Sequence, residues 1–379
     1  MMRFHYNWYC SLCGGPFCGL RFASGNRWIH EAYNPEAITR EETEWTGTMY
    51  ILGLSNNATT ASKYGHPLLL PRKRKSHMIP TSRTYLAPGR FTDDGTVHVL
   101  PGPPESRDPD FLGPPHQPLE LDCNLLYGEV KGDHFTLHVP CLELFSFYIT
   151  RRRGLSLHNL EFDKDALYSA LVALRSLSPM ALTKTFRNIL DSSFYIWRPQ
   201  YGLEFLAADP GLPDPRSASE LSPITSHLRA LISCGDGTLG SRACILPETA
   251  AGLSSRVKAD PFSSLPIEIL FKISGLLNDQ SLFALCTASW TVHSALRVND
   301  RFWRHRIMRV SMPWLPEVGP LLDHELMRSG ADLKGLLCGL TRLTRGRAGM
   351  KSPMTSLGNR RRIWSLFEVI EERYSEARR

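Results

Sequence analysis

Residues 261–307 read PFSSLPIEIL FKISGLLNDQ SLFALCTASW TVHSALRVND RFWRHRI. Ser263 and Ser264 are helix-capping residue types, and Pro266 suits a first turn, where its missing N–H costs nothing. Glu268 falls near that positive helix end. Ile267, Leu270, Ile273 or Ser274, and Leu277 recur at helical spacing, and Ile269 and Leu276 widen the apolar face. Asn278-Asp279 reads as a turn, with Asp279 set to cap a second short helix that carries Leu282, Leu285 and Cys286. A third helix is expected from Ser289, presenting Trp290, His293 or Ser294, and Leu296, before Phe302-Trp303. So small a helical unit carries more apolar surface than it can bury alone. It is either a piece of a larger core or a docking module that completes its core on a partner.

Taken together, Leu265-Pro266-x-Glu268, the Ile269-Leu270 pair, Leu276-Leu277, a helix with Leu282 and Leu285, and the closing Phe302-Trp303-Arg304 resemble an F-box over residues 259–307. The resemblance implies a small all-helical fold that docks on a Skp-type adaptor, and through it on a cullin. The implied role is substrate receptor of a cullin–RING (SCF-type) ubiquitin ligase. It places Leu265 and Pro266 at the adaptor interface, with Ile267, Ile269, Leu270, Ile273, Leu282 and Leu285 as contact or support residues. The protein substrate is not specified by it.

The rest of the chain bounds this expectation. Its 379 residues suffice for two or three domains, and 42% hydrophobic residues allow a sizeable core. A net charge of +7 is mild at this length and does not demand nucleic acid. The opening residues lack a secretory apolar segment, and no run matches a membrane helix, so a soluble protein of the cytoplasm or nucleus is expected. Nine cysteines in such a compartment are expected to be thiols or metal ligands.

Residues 1–55 are too rich in aromatics for a disordered tail. Within them lies Cys10-Ser-Leu-Cys13-Gly14-Gly15-Pro16-Phe17-Cys18. A Cys-x-x-Cys followed by Gly-Gly is a tight turn that aims two sulfurs at one point, half of a zinc knuckle. A redox dithiol has the same spacing but should open a helix, which Gly14-Gly15-Pro16 oppose. His138-Val-Pro-Cys141 is a second two-ligand spacing, at an expected strand (His134 to Val139) and helix (Cys141 to Ile149). Cys10, Cys13, His138 and Cys141 would make a structural zinc site of Cys3His type. Cys18, His5 or His30 could instead complete a local site with the first pair.

Residues 55–120 are punctuated by proline and glycine and read as a loop insertion with one short strand, Thr96 to Leu100. Helices are expected at Asp165 to Leu177, Ala181 to Leu190, Pro223 to Ser233, Asp332 to Thr344 and Arg360 to Ala377. The expected class is α+β: a mixed N-terminal domain (1–233), a linker (234–258), the all-helical 259–307 unit and a helical C-terminal region (308–379). Cys10-x-x-Cys13-Gly-Gly-Pro-Phe, the later His-x-x-Cys, Trp197, Tyr201-Gly202-Leu203 with Asp209-Pro210, and Asn359-Arg360-Arg361-Arg362-Ile363-Trp364 together resemble an architecture of filamentous-fungal F-box proteins.

No phosphate-binding glycine loop and no nucleophile elbow occurs, and no pattern sets a cysteine and a histidine as nucleophile and base, so a non-enzyme is expected. Arg72-Lys73-Arg74-Lys75 could serve nuclear import. One alternative is a zinc-stabilised nuclear nucleic-acid binder, although the aromatics cluster away from the basic runs. Another is an F-box protein acting outside any ligase.

Overall fold

The computed structural model describes residues 10–15, 17, 38–39, 41–54, 84–91, 97–99, 119–121, 123–124, 129–130, 134–152, 162–176, 204–212, 224–226, 228–229, 260–297, 299–322 and 332–379. In chain order its strands are β1 (Met49–Leu54), β2 (Thr84–Phe91), β3 (Val97–Val99), β4 (Leu119–Leu121), β5 (Cys123–Asn124), β6 (Glu129–Val130) and β7 (His134–His138). Its helices are α1 (Val139–Arg152), α2 (Lys164–Ser176), α3 (Ile267–Leu276), α4 (Asp279–Ala288), α5 (Trp290–Arg297), α6 (Asp300–His305), α7 (Val318–Leu321), α8 (Leu333–Leu343) and α9 (Met354–Ala377). The class is α+β. The basic run at 72–75, the helix expected at 181–190, the segment from Trp197 to Leu203 and the linker at 234–258 lie outside the described residues.

The chain forms two compact units: residues 1–212 with 346–379, and residues 213–345. The C-terminal region expected at 308–379 is therefore divided, because the buried face of α9 belongs to the first unit. Phe145 of α1 meets Phe367 at 5.3 Å and Tyr374 at 5.5 Å, and Tyr148 meets Trp364 at 4.7 Å. Leu167, Leu171 and Leu174 are the buried leucines of α2, which also packs on α9. α9 starts at Met354, earlier than the expected Arg360.

In the first unit, five strands pair antiparallel in the order β4-β3-β2-β1-β7. β2 falls inside the stretch expected to be loop. Its Pro88 pairs with Tyr50 of β1, and among the described residues β3 pairs with Gly89, Arg90 and Phe91 and not with the proline. Gly89 is needed there: a Cβ would come within 2.8 Å of Ile51 and Met49 side-chain carbons. β7 is an outer strand of the sheet and runs directly into α1, so one junction carries both His138 and Cys141.

The described residues of the second unit are mostly helical. α3 begins on Pro266 with no side-chain cap, and Ser263 turns back to the Asp260 carbonyl instead of capping the helix. Asn278, not Asp279, caps α4, accepting from the Ser281 amide at 2.8 Å. Asp279 is thereby freed for Arg306, whose Nε donates to it at 2.7 Å. The same buried guanidinium donates to the carbonyls of Ser274 and Leu277, satisfying orphan acceptors at the end of α3. A π-helical turn, Arg306–Ser311, continues α6. The Trp303 indole donates to the Leu296 carbonyl at 2.8 Å and locks α5 to α6.

Candidate functional site

The Cys10–Gly15 loop is a closed turn. Gly14 donates to the Cys10 carbonyl at 2.8 Å, and Cys10 donates to the Gly15 carbonyl at 2.9 Å. Gly14 holds φ at 66°, in the left-handed region that glycine adopts without strain. The Ser11 amide donates to Thr136 of β7 at 2.9 Å, so the loop lies along the strand that ends in His138. The first turn of α1 then presents Cys141 beside the end of that strand.

These three pieces bring Cys10, Cys13, His138 and Cys141 together, with their ligand atoms all within 4.8 Å of one another and all four residues buried. The Nδ1 of His138 lies 3.4 Å from the Cys13 sulfur and 3.8 Å from the Cys141 sulfur. A tetrahedral zinc with Zn–S about 2.3 Å and Zn–N about 2.0–2.1 Å requires sulfur–nitrogen edges of about 3.6 Å. The two sulfur–nitrogen distances are close to that edge, and the donor set suits a tetrahedral thiophilic ion. Backbone amides support the sulfurs: Gly15 donates to Cys13 and His138 donates to Cys10, each at 3.2 Å.

Nδ1 faces the sulfurs of Cys13 and Cys141. Nε2 is buried and has no hydrogen-bond partner among the described residues. The ring is held by packing instead, between Phe17 at 4.0 Å and Trp45 at 4.6 Å. Trp45 is itself fixed by its indole N–H, which donates to the Ala207 carbonyl at 2.9 Å. Neither aromatic was marked as part of the site by sequence spacing. Phe17 closes the Gly-Gly-Pro-Phe run, whereas nothing local to Trp45 signals its role.

Three adjacent sulfurs cannot all ionise in a dry site without a cation. Burial, together with the neighbouring sulfurs, pushes the Cys10 and Cys141 thiols up. Burial would also raise Cys13, but hydrogen bonds from Cys10 and Cys141 and the nearby His138 bring it well below the usual thiol range. A metal bound here would displace the thiol protons. Cys18, His5 and His30 lie outside the described residues.

The residues expected at an adaptor interface separate into two groups. Leu270 and Leu282 are buried inside the second unit and support it. Pro266 is exposed, Leu265, Ile273 and Leu285 are half-buried, and Ile267 and Ile269 are 48% and 40% exposed. Leu276, at the end of the same helix, is 89% exposed. Among the described residues, no helix is long and apolar enough to cross a membrane. No protein-family model matches this chain, and no curated protein or solved structure matches it.

Proposed function

We propose that the chain is a non-catalytic recruiting subunit of F-box type. Its 259–307 stretch docks on a Skp-type adaptor, and thereby on a cullin–RING ligase, and the first unit offers a surface to a protein substrate. The observation that carries this is the aliphatic surface on α3: Ile267, Ile269 and Leu276 face water in the pattern of residues that resembles an F-box. Aliphatic side chains left exposed by a short helical unit gain from association. Interface energy concentrates in a few anchors, about 1–3 kcal/mol each. A double change of Ile267→Glu and Ile269→Glu should weaken adaptor binding by tenfold or more, about 1.4 kcal/mol at the least. Both positions are exposed, so the fold should survive. The test is titration of wild type and variant with a purified Skp-type adaptor, with circular dichroism as the folding control. Equal affinity of the two, or no binding by the wild type, overturns the proposal. Salt-sensitive retention on RNA or DNA in its place would favour the nucleic-acid alternative.

The Cys3His cluster is, in the same proposal, the seat of a structural zinc ion. Its thiolates and imidazole match zinc, and four protein ligands leave no open position for substrate. Purified protein should carry one zinc per chain by mass spectrometry. Cys13→Ser should lose it, and chelation should lower the melting temperature of the wild type. A metal-free preparation of undiminished stability would exclude the site.

A further inference from the structure

Arg362 sits in the interior of α9 with only 6% of its surface exposed. Its Nη1 donates to the backbone carbonyl of Cys13 at 2.8 Å. Its Nε and Nη2 both donate to the Asn359 side-chain oxygen, at 3.0 and 2.8 Å. Asn359 is fixed in turn, donating to the Ala208 carbonyl at 2.7 Å. Every acceptor is neutral, and no carboxylate pairs with this guanidinium among the described residues. Arg360 differs: it donates to the Pro210 and Gly211 carbonyls and also feels the charge of Asp209.

A buried cation with no counter-charge costs several kcal/mol, so its neighbourhood should supply one. The group that Arg362 touches is the peptide of a metal ligand. Three thiolates and a neutral imidazole around a divalent ion carry one net negative charge, and Arg362 carries one positive charge. A monovalent ion in the same ligand set would leave one charge unbalanced.

We propose that Arg362 is the positioning residue of the metal centre, balancing its charge and fixing the Cys13 loop from the far end of the chain. The proposal rests on the zinc reading above. It adds that the site is matched to a divalent ion and that α9 sets how tightly the ion is held. Neighbours of this kind typically alter metal affinity on the order of 10- to 100-fold.

The test uses the full chain, loaded with zinc or cobalt(II). Zinc release to a chromophoric chelator is followed for wild type, Arg362→Met and Arg362→Lys. Leu366→Ala serves as a control, since it truncates the buried core of the same helix without touching charge. Arg362→Met should release zinc at least tenfold faster and shift the cobalt charge-transfer band, and Arg362→Lys should restore part of both. Leu366→Ala should lower stability without moving the band. Release from Arg362→Met equal to wild type overturns the proposal and leaves the zinc site standing. So does an equal acceleration by Leu366→Ala. If Arg362→Met does not fold, the comparison of Arg362→Lys with Leu366→Ala decides in the same way. A wild type that binds neither ion removes the zinc reading itself.

Discussion

The Asp260 carboxylate accepts hydrogen bonds from the amides of Phe262 and Thr291, each at 2.9 Å, and from the Ser289 hydroxyl at 2.8 Å. Burial would raise its pKa slightly, but these donors outweigh it and bring the carboxyl from an ordinary 3.8 down to about 2. A depressed carboxylate contributes stability that is present above its unfolded pKa and lost as pH falls through the folded one. The second unit should therefore weaken between roughly pH 4 and pH 2. Asp260→Asn should be less stable than wild type near neutral pH, and the gap should close as pH falls toward 2. Urea denaturation followed by circular dichroism across that range checks this; a gap that does not change with pH would mean that the charge is not what stabilises. At this scale the sequence was legible where spacing states chemistry. Cys10-x-x-Cys13 and His138-x-x-Cys141 each put two donors on one turn, and the fold joins the pairs. Caps were less legible, because Asn278 and Asp279 are chemically equivalent candidates until Arg306 claims one of them.

The second unit is tied together by Arg306. One guanidinium closes the end of α3 through two carbonyls and pairs with Asp279 at the start of α4, which also accepts from the Ser311 hydroxyl. Arg306→Ala leaves two carbonyls and a partly buried carboxylate without their donor. It should cost about 3 kcal/mol, the range for breaking one partner of a buried pair. Thermal denaturation of the variant checks this, and a loss under about 1 kcal/mol would make the network incidental. α3, α4, α5 and α8 of this unit, and α1 and α2 of the first, were readable from apolar residues at helical spacing, in places with a polar residue opening the run, whereas α6 and α7 were not read as helices. Asp332, for example, caps α8 through the Gly335 amide. β2 was not, because Pro88-Gly89 reads as a turn locally. Its pairing with β1, and the narrow space beside Ile51 and Met49, make that dipeptide suit a strand.

For the whole molecule, the decisive feature is that the first unit is not continuous in sequence. Residues 346–379 complete the core begun by residues 1–212, with α9 against α1 and α2. Sequence patterns are local, so they showed α9 as an amphipathic helix but not which core its apolar face joins. Arg360-Arg361-Arg362 would sit unfavourably at the start of a helix without a partner. For Arg362 the partners are a carbonyl and an amide oxygen. A chain ending at residue 345 should leave Phe145, Tyr148 and Leu167 without their cover. It should lose zinc and the near-ultraviolet circular dichroism of the first unit, while helical signal from residues 260–345 persists. Retention of zinc by that shortened chain would mean that α9 is dispensable to the site. There is also an order of events during synthesis. The ribosome makes all four metal ligands before it makes the helix that shuts them in. At about 5–20 residues per second, the interval from Cys141 to the last turn of α9 is on the order of 10–50 s. During that interval the 260–345 helices can fold by themselves, since their contacts are local, while three thiols wait with no roof. The nascent protein should then be most vulnerable to oxidation and to the wrong metal late in translation, and pausing near residue 345 should lengthen that exposure.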